Sequence, residues 1–83
     1  MIIPKRLEDC KSQHEAILYH LNHFPTGLAQ YEAKELYGIE RLPARIFDLR
    51  EYGFEIVTVM EKGKNRFGNP TNYGRYYLKE RSV

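Results

Sequence analysis

From Ser12 onward the apolar positions fall into stretches of different period. Ala16, Ile17, Leu21 and Phe24 recur at helical spacing, with Tyr19 and His20 beside them, which predicts a first helix over residues 12–24. Ser12 followed by Glu15 is a capping-box pair at its start, and Pro25 with Gly27 stops it. Residues 26–29 are few enough to lie extended. A second helix is expected over residues 31–37, with Ala33, Leu36 and Tyr37 as its inner stripe. Gly38 then stands where a left-handed C-terminal cap belongs, and Ile39 supplies the apolar contact of such a cap. In the third helix Leu42, Ile46 and Leu49 share one face. Pro43 fits only a first helical turn, where its missing amide is unpaired anyway, so this helix starts near Arg41–Leu42. Gly53 ends it. The connection between the second and third helices is short and headed by Gly38, as in a helix-turn-helix.

After Gly53 the period changes. Phe54, Ile56, Val57, Val59 and Met60 form a β-branched run too short for another helix, hence a strand. Residues 61–74 are rich in Gly, Asn and Pro and in basic side chains, which predicts a long wing loop. Residues 75–79 read as a second strand, with Tyr76 and Leu78 on one face and Tyr77 on the other. Tyr52, Phe54, Tyr76 and Tyr77 are expected to pack this hairpin on the helices. The predicted class is α+β: three helices followed by a two-stranded β-hairpin wing. One domain is expected over 1–83, with an N-terminal arm at 1–11 and the wing loop at 61–74.

Composition narrows the function classes. Eighty-three residues make a small core, a poor setting for a deep catalytic cleft of its own. The lone Cys10 cannot close an internal disulfide, and the ligand set of a structural zinc site is missing, so a reducing, cytoplasmic setting is expected. No apolar run approaches the roughly 18 residues of a membrane span, so no membrane partner is expected. The formal net charge of +2 names no partner by itself. Sorted by position, however, residues 61–83 carry +4 and residues 1–60 carry −2, so the basic charge gathers on the hairpin, where phosphate would meet it.

Glu32-Ala33, Tyr37-Gly38-Ile39, Arg41-Leu42-Pro43-Ala44-Arg45-Ile46, Asp48-Leu49-Arg50, Gly53 and Ile56 together resemble the small winged helix-turn-helix domains found widely in bacteriophages and prophages. The likeness spans residues 14–79, nearly the whole chain. It implies a DNA-binding fold in a phage or prophage protein. Pro43 departs from the family pattern, where Ser or Ala is more usual, and stiffens the start of the third helix.

For a third helix lying in a major groove, the N-terminal half reads the bases. Arg41 and Arg45 are candidate guanine readers, since a guanidinium fork meets O6 and N7 together. Ala44 permits close approach, and Asp48 can accept from a cytosine amine or orient an arginine. Opposing readings stay open: Arg45 can pair with Asp48 or brace the fold, and residues 40–51 sum to zero charge. In the wing, Lys62, Lys64, Asn65, Arg66, Asn69, Asn72 and Arg75 are candidate donors to phosphates or the minor groove. Phe67 and Tyr73 can stack on bases or cover a partner.

Other constellations carry less. His14, His20 and His23 read as surface histidines rather than metal ligands, and Glu32 with Glu35 as a solvated face. No catalytic residue, metal or cofactor is expected. The expected function is double-stranded DNA binding without enzymatic activity, in transcription regulation or as an accessory factor in excision, replication or packaging. Tight binding by so small a surface calls for a homodimer or a cooperative array, with the arm or the first helix as the symmetric contact. The alternative is a winged-helix adaptor that binds another phage or host protein and not DNA.

Overall fold

The computed structural model describes residues 3–79; Met1, Ile2 and residues 80–83 lie outside it, among them Glu80 and Arg81 of the basic tail. Within the arm, Leu7–Asp9 form a single 3-10 turn. Ser12 caps the first helix, α1 (Gln13–His23), by accepting the Glu15 N–H at 3.2 Å. The Glu15 carboxylate returns to the Lys11 N–H at 2.6 Å rather than to Ser12, a capping box displaced by one residue. Ala16, Ile17, Leu18 and Leu21 face the core. Phe24, expected on the inner stripe, is 43% exposed. It is the C-cap, where the chain leaves helical geometry, and its ring lies against the His20 imidazole with centroids 4.6 Å apart.

Gly27 is buried with φ +72°, and a Cβ there would lie 2.5 Å from the Tyr76 carbonyl oxygen and 2.8 Å from the Tyr77 ring. Only glycine lets the chain pass so close to the hairpin. The next two residues form the short strand β1 (Leu28–Ala29), in place of free extended chain. Helix α2 (Gln30–Tyr37) follows directly, and the Glu32 carboxylate accepts the Ala29 N–H at 3.0 Å. Gly38 has φ +69°, and its N–H and that of Ile39 turn back onto the carbonyls of Lys34 and Ala33. Ala33 and Ile39 are fully buried, but Leu36, expected inward, is 60% exposed because nothing packs over its side of this short helix.

The turn into helix α3 (Leu42–Glu51) is clamped by Gln30: its Nε2 donates to the Ile39 carbonyl at 2.8 Å and its Oε1 accepts the Leu42 N–H at 2.7 Å. One side chain thus satisfies an orphan donor of the helix start and holds α2 to α3. Leu42, Ile46 and Leu49 are buried together, as their spacing predicts. At the other end, two guanidinium nitrogens of Arg50 donate to the Ile56 carbonyl, and one also to Thr58 Oγ1.

Strands β2 (Ile56–Lys64) and β3 (Pro70–Leu78) pair antiparallel over nine residues each, and the sheet order is β1-β3-β2. The long loop expected over residues 61–74 is corrected: most of it is strand, and only residues 65–69 turn. Gly63 lies under the Tyr73 ring, and Gly74 against Thr58 and Met60. Pro70 opens β3 opposite Lys64, where its missing N–H falls on the edge away from β2. Asn65 organises the turn, its Oδ1 accepting the N–H groups of Phe67 and Asn69.

The core joins Ile17, Leu18, Leu21, Leu28, Ala33, Ile39, Leu42, Ile46, Leu49, Ile56 and Leu78, with Tyr37, Phe54 and Tyr76 against its edge. Tyr52 does not join it and is 64% exposed. The result is the expected α+β arrangement, enlarged to a three-stranded sheet by β1. The molecule measures 40 × 22 × 22 Å.

Candidate nucleic-acid interface

The exposed end of α3 is built around Arg41 and Arg45. Arg41 is the N-cap, exposed, with no ion pair among the described residues. It borders an open depression of about 310 Å³ that it shares with Gln13, Gly38, Glu40 and Arg45. Arg45 is half-buried, and its Nε lies 3.2 Å from Asp48 Oδ2. This is an ion pair without a hydrogen bond, since the buried Nε–H finds no acceptor in line. Asp48 Oδ2 is also 2.9 Å from His14 Nε2 on α1. The carboxylate therefore serves as a hub between α1 and α3. Ala44 is half-buried, and Phe47 beside it is 62% exposed.

The pairing phase of the hairpin sorts the wing residues. Residues with even numbers on β2 share a face with Ile56, whose side chain enters the core, and with Thr58, which holds Arg50 of α3. Lys62, Lys64 and Asn72 fall on this α3 side by alternation, with Lys62 opposite Asn72. All three are exposed, and neither lysine has an ion pair among the described residues. Arg66 and Phe67 stand at the corner of the turn, with Phe67 80% exposed. Asn65 is exposed, but its carbonyl oxygen is taken by the turn, which leaves its amide as donor. Asn69 contributes its backbone to the same turn, accepting the Asn65 N–H at 2.9 Å.

Arg75 requires a correction. Expected at the start of the second strand as a free donor of the wing, it sits within β3 and its side chain is 11% exposed. On the face opposite Lys62, its guanidinium meets the carboxylates of Glu61 and Glu32, the Tyr31 hydroxyl and the Thr26 carbonyl. The hydrogen bond to Glu61 leads in holding its pKa above the ordinary value, while burial opposes it. Glu32, expected on a solvated face, is thus an anchor between α2 and the wing. Tyr73 is half-buried with its ring edge-on to Tyr31 at 5.7 Å.

The histidines also depart from expectation. His20 is buried: Nε2 faces the Gly27 carbonyl at 3.1 Å, so Nδ1 accepts the Tyr37 hydroxyl at 2.6 Å. Burial lowers its pKa from the ordinary 6.5 and raises that of Tyr37 from 10.0. No group of three or more His, Cys, Asp or Glu side chains able to hold a metal ion occurs among the described residues. Nor is any described helix long and apolar enough to cross a membrane.

The sequence matches the family model of a winged helix-turn-helix domain over residues 12–81. Neither a curated protein nor a solved structure gives a significant match. The winged helix-turn-helix is in general a DNA-binding fold and is typically non-enzymatic. With three helices, a clamped turn between the second and third, and a hairpin beyond them, this chain belongs to the winged helix-turn-helix domain family.

Proposed function

We propose that this chain binds double-stranded DNA, with α3 in the major groove and the hairpin on the backbone or the minor groove. We place it as a phage or prophage regulator or an accessory factor in a DNA transaction, acting in the cytoplasm as one domain. The observation that carries this reading is the set of cations on α3 and the wing left over once internal pairs are removed. Arg75 belongs to Glu32 and Glu61, Lys79 pairs with Glu55, and Arg50 is bound to β2. Arg41 at the start of α3, and Lys62, Lys64 and Arg66 on the wing, remain exposed without an ion pair among the described residues. Lys62, Lys64 and Asn72 lie on the α3 side of the sheet, where a duplex seated on α3 would meet them. Arg41, with Ala44 beside it, is the base-reading candidate. Arg45 and Asp48 act chiefly by fixing one another.

Binding to duplexes across a salt series tests this reading. Lys64→Ala with Arg66→Ala is expected to weaken binding on every sequence alike, and to reduce the salt slope by about 0.9 for each phosphate no longer neutralised. Unchanged affinity and slope would remove the wing from the interface. Arg41→Ala is expected to alter sequence preference, scored by selection from a random duplex library. Equal losses on selected and random duplexes would contradict that role. The second reading, a protein-binding adaptor, is favoured by Phe67, 80% exposed at the wing tip. It predicts no salt-sensitive retention on heparin or duplex.

A further inference from the structure

Beyond Ile56, which Arg50 covers, the outer edge of β2 is open. The Lys79 N–H bonds the Glu55 carbonyl, and the Asn65 N–H bonds the Asn69 carbonyl. These two bonds fix the phase of the hairpin: odd-numbered residues of β2 direct their backbone groups to β3, and even-numbered ones direct theirs outward. Arg50 occupies the outward carbonyl of Ile56. The outward groups of Thr58, Met60 and Lys62 meet no side-chain or backbone partner among the described residues. Natural edges are blunted by charges, prolines or bulges, and residues 56–60 have none of these. The run instead shows apolar surface, with Val57 43%, Val59 48% and Met60 64% exposed.

We infer that this edge pairs with the same edge of a second copy, antiparallel about a two-fold axis through Val59. The two-fold requires paired residues of equal parity, since only they point to one face of the joined sheet. Glutamates stand at the odd positions 55 and 61, and lysines at the even positions 62 and 64. An axis at Thr58 opposes Glu55 to Glu61, and an axis at Glu61 opposes it to itself. With Val59 on the axis, Glu61 meets Val57, Lys62 meets Ile56 and Glu55 meets Gly63, so no like charges of the two strands oppose; an axis at Met60 also avoids them but sets Glu61 against Val59 and splits the apolar pair. Val59 meets its own copy, and the exposed Val57 and Val59 of both chains form one apolar row. Thr58 of each chain exchanges both backbone bonds with Met60 of the other. The joined sheet runs β1-β3-β2-β2-β3-β1. The symmetric contact thus lies on the wing rather than on the arm or the first helix, and it needs no DNA.

Sedimentation without DNA tests the pairing. The expected result is twice the monomer mass for the native chain, and a monomer for Val59→Lys and for Met60→Pro. Met60→Pro deletes one outward N–H while sparing every bond to β3. Circular dichroism matching the native chain shows that each variant is folded. In a Cys10→Ser background, Val59→Cys is expected to form an intermolecular disulfide on mild oxidation. A non-hydrogen-bonded pair brings Cα atoms to about 4.5 Å, within disulfide reach. Lys62→Cys in that background is expected to form none. A monomeric native chain, or equal cross-linking at both positions, overturns the inference. Duplex binding by a monomeric native chain would overturn it and leave the proposed function standing.

Discussion

His20 enters the core as a neutral ring, with both nitrogens used: one donates to the Gly27 carbonyl, the other accepts from Tyr37. Protonation would place a hydrogen on Nδ1, against a hydroxyl already donating to it, and would charge a buried group. Burial accordingly lowers the folded-state pKa below the ordinary 6.5. The unfolded chain therefore binds the proton more readily, and stability rises with pH across that window. The contribution is fully present above about pH 6.5 and declines as pH falls toward the folded-state value. We predict that the urea midpoint of the native chain falls between about pH 7 and pH 5, and falls less for His20→Gln. Identical pH dependence in the two proteins would refute this role. The sequence placed His20 beside the apolar stripe of α1, but not its partners, which come from residues 27 and 37. Phe24 and Leu36 fail in the opposite sense. Helical spacing put both inward, yet which arc of a short helix is covered depends on neighbours that spacing does not specify.

At the scale of elements, boundaries were legible wherever they rest on local chemistry. Ser12 as cap, Gly38 in left-handed conformation and Pro43 in the first turn of α3 each act within a few residues. The hairpin was not legible in full. Its distal half is held by pairing across the turn, while Gly63, Asn72 and Gly74 taken singly favour turns. The Gln30 clamp was equally hidden, because a glutamine opening a helix gives no sign that it reaches residues 39 and 42. We predict that Gln30→Ala destabilises the fold by about 1–3 kcal/mol, since it strands a half-buried N–H and C=O. Gln30→Glu keeps an acceptor for Leu42 but sets a second acceptor against the Ile39 carbonyl, so it should not restore native stability in urea denaturation. A neutral Gln30→Ala would mean that water serves the turn equally well.

For the molecule as a whole, the charge split seen in the sequence changes its meaning once pairs are drawn. The basic tail is not a uniform phosphate surface: Arg75 ties the wing to α2 through Glu32 and Glu61. Lys62, Lys64 and Arg66 carry the wing charge that has no ion pair among the described residues. The strand pattern hid this, because Arg75 and the free lysines differ only in which face and which partners the fold assigns them. Removing the Arg75 guanidinium leaves two carboxylates unpaired, but their side chains are 30% and 35% exposed, so water offsets part of the cost. Arg75→Met should therefore destabilise by about 1–3 kcal/mol in urea denaturation. Adding Glu32→Gln and Glu61→Gln should recover most of the loss, since the stranded carboxylates are then gone. Because the Arg75 guanidinium is spent inside the fold, the recovered variant should bind duplex with the native salt slope. Lys64→Ala, on a chain of native stability, should lower that slope. A reduced slope in the recovered variant would return Arg75 to the DNA surface and detach the wing's position from its buried pair.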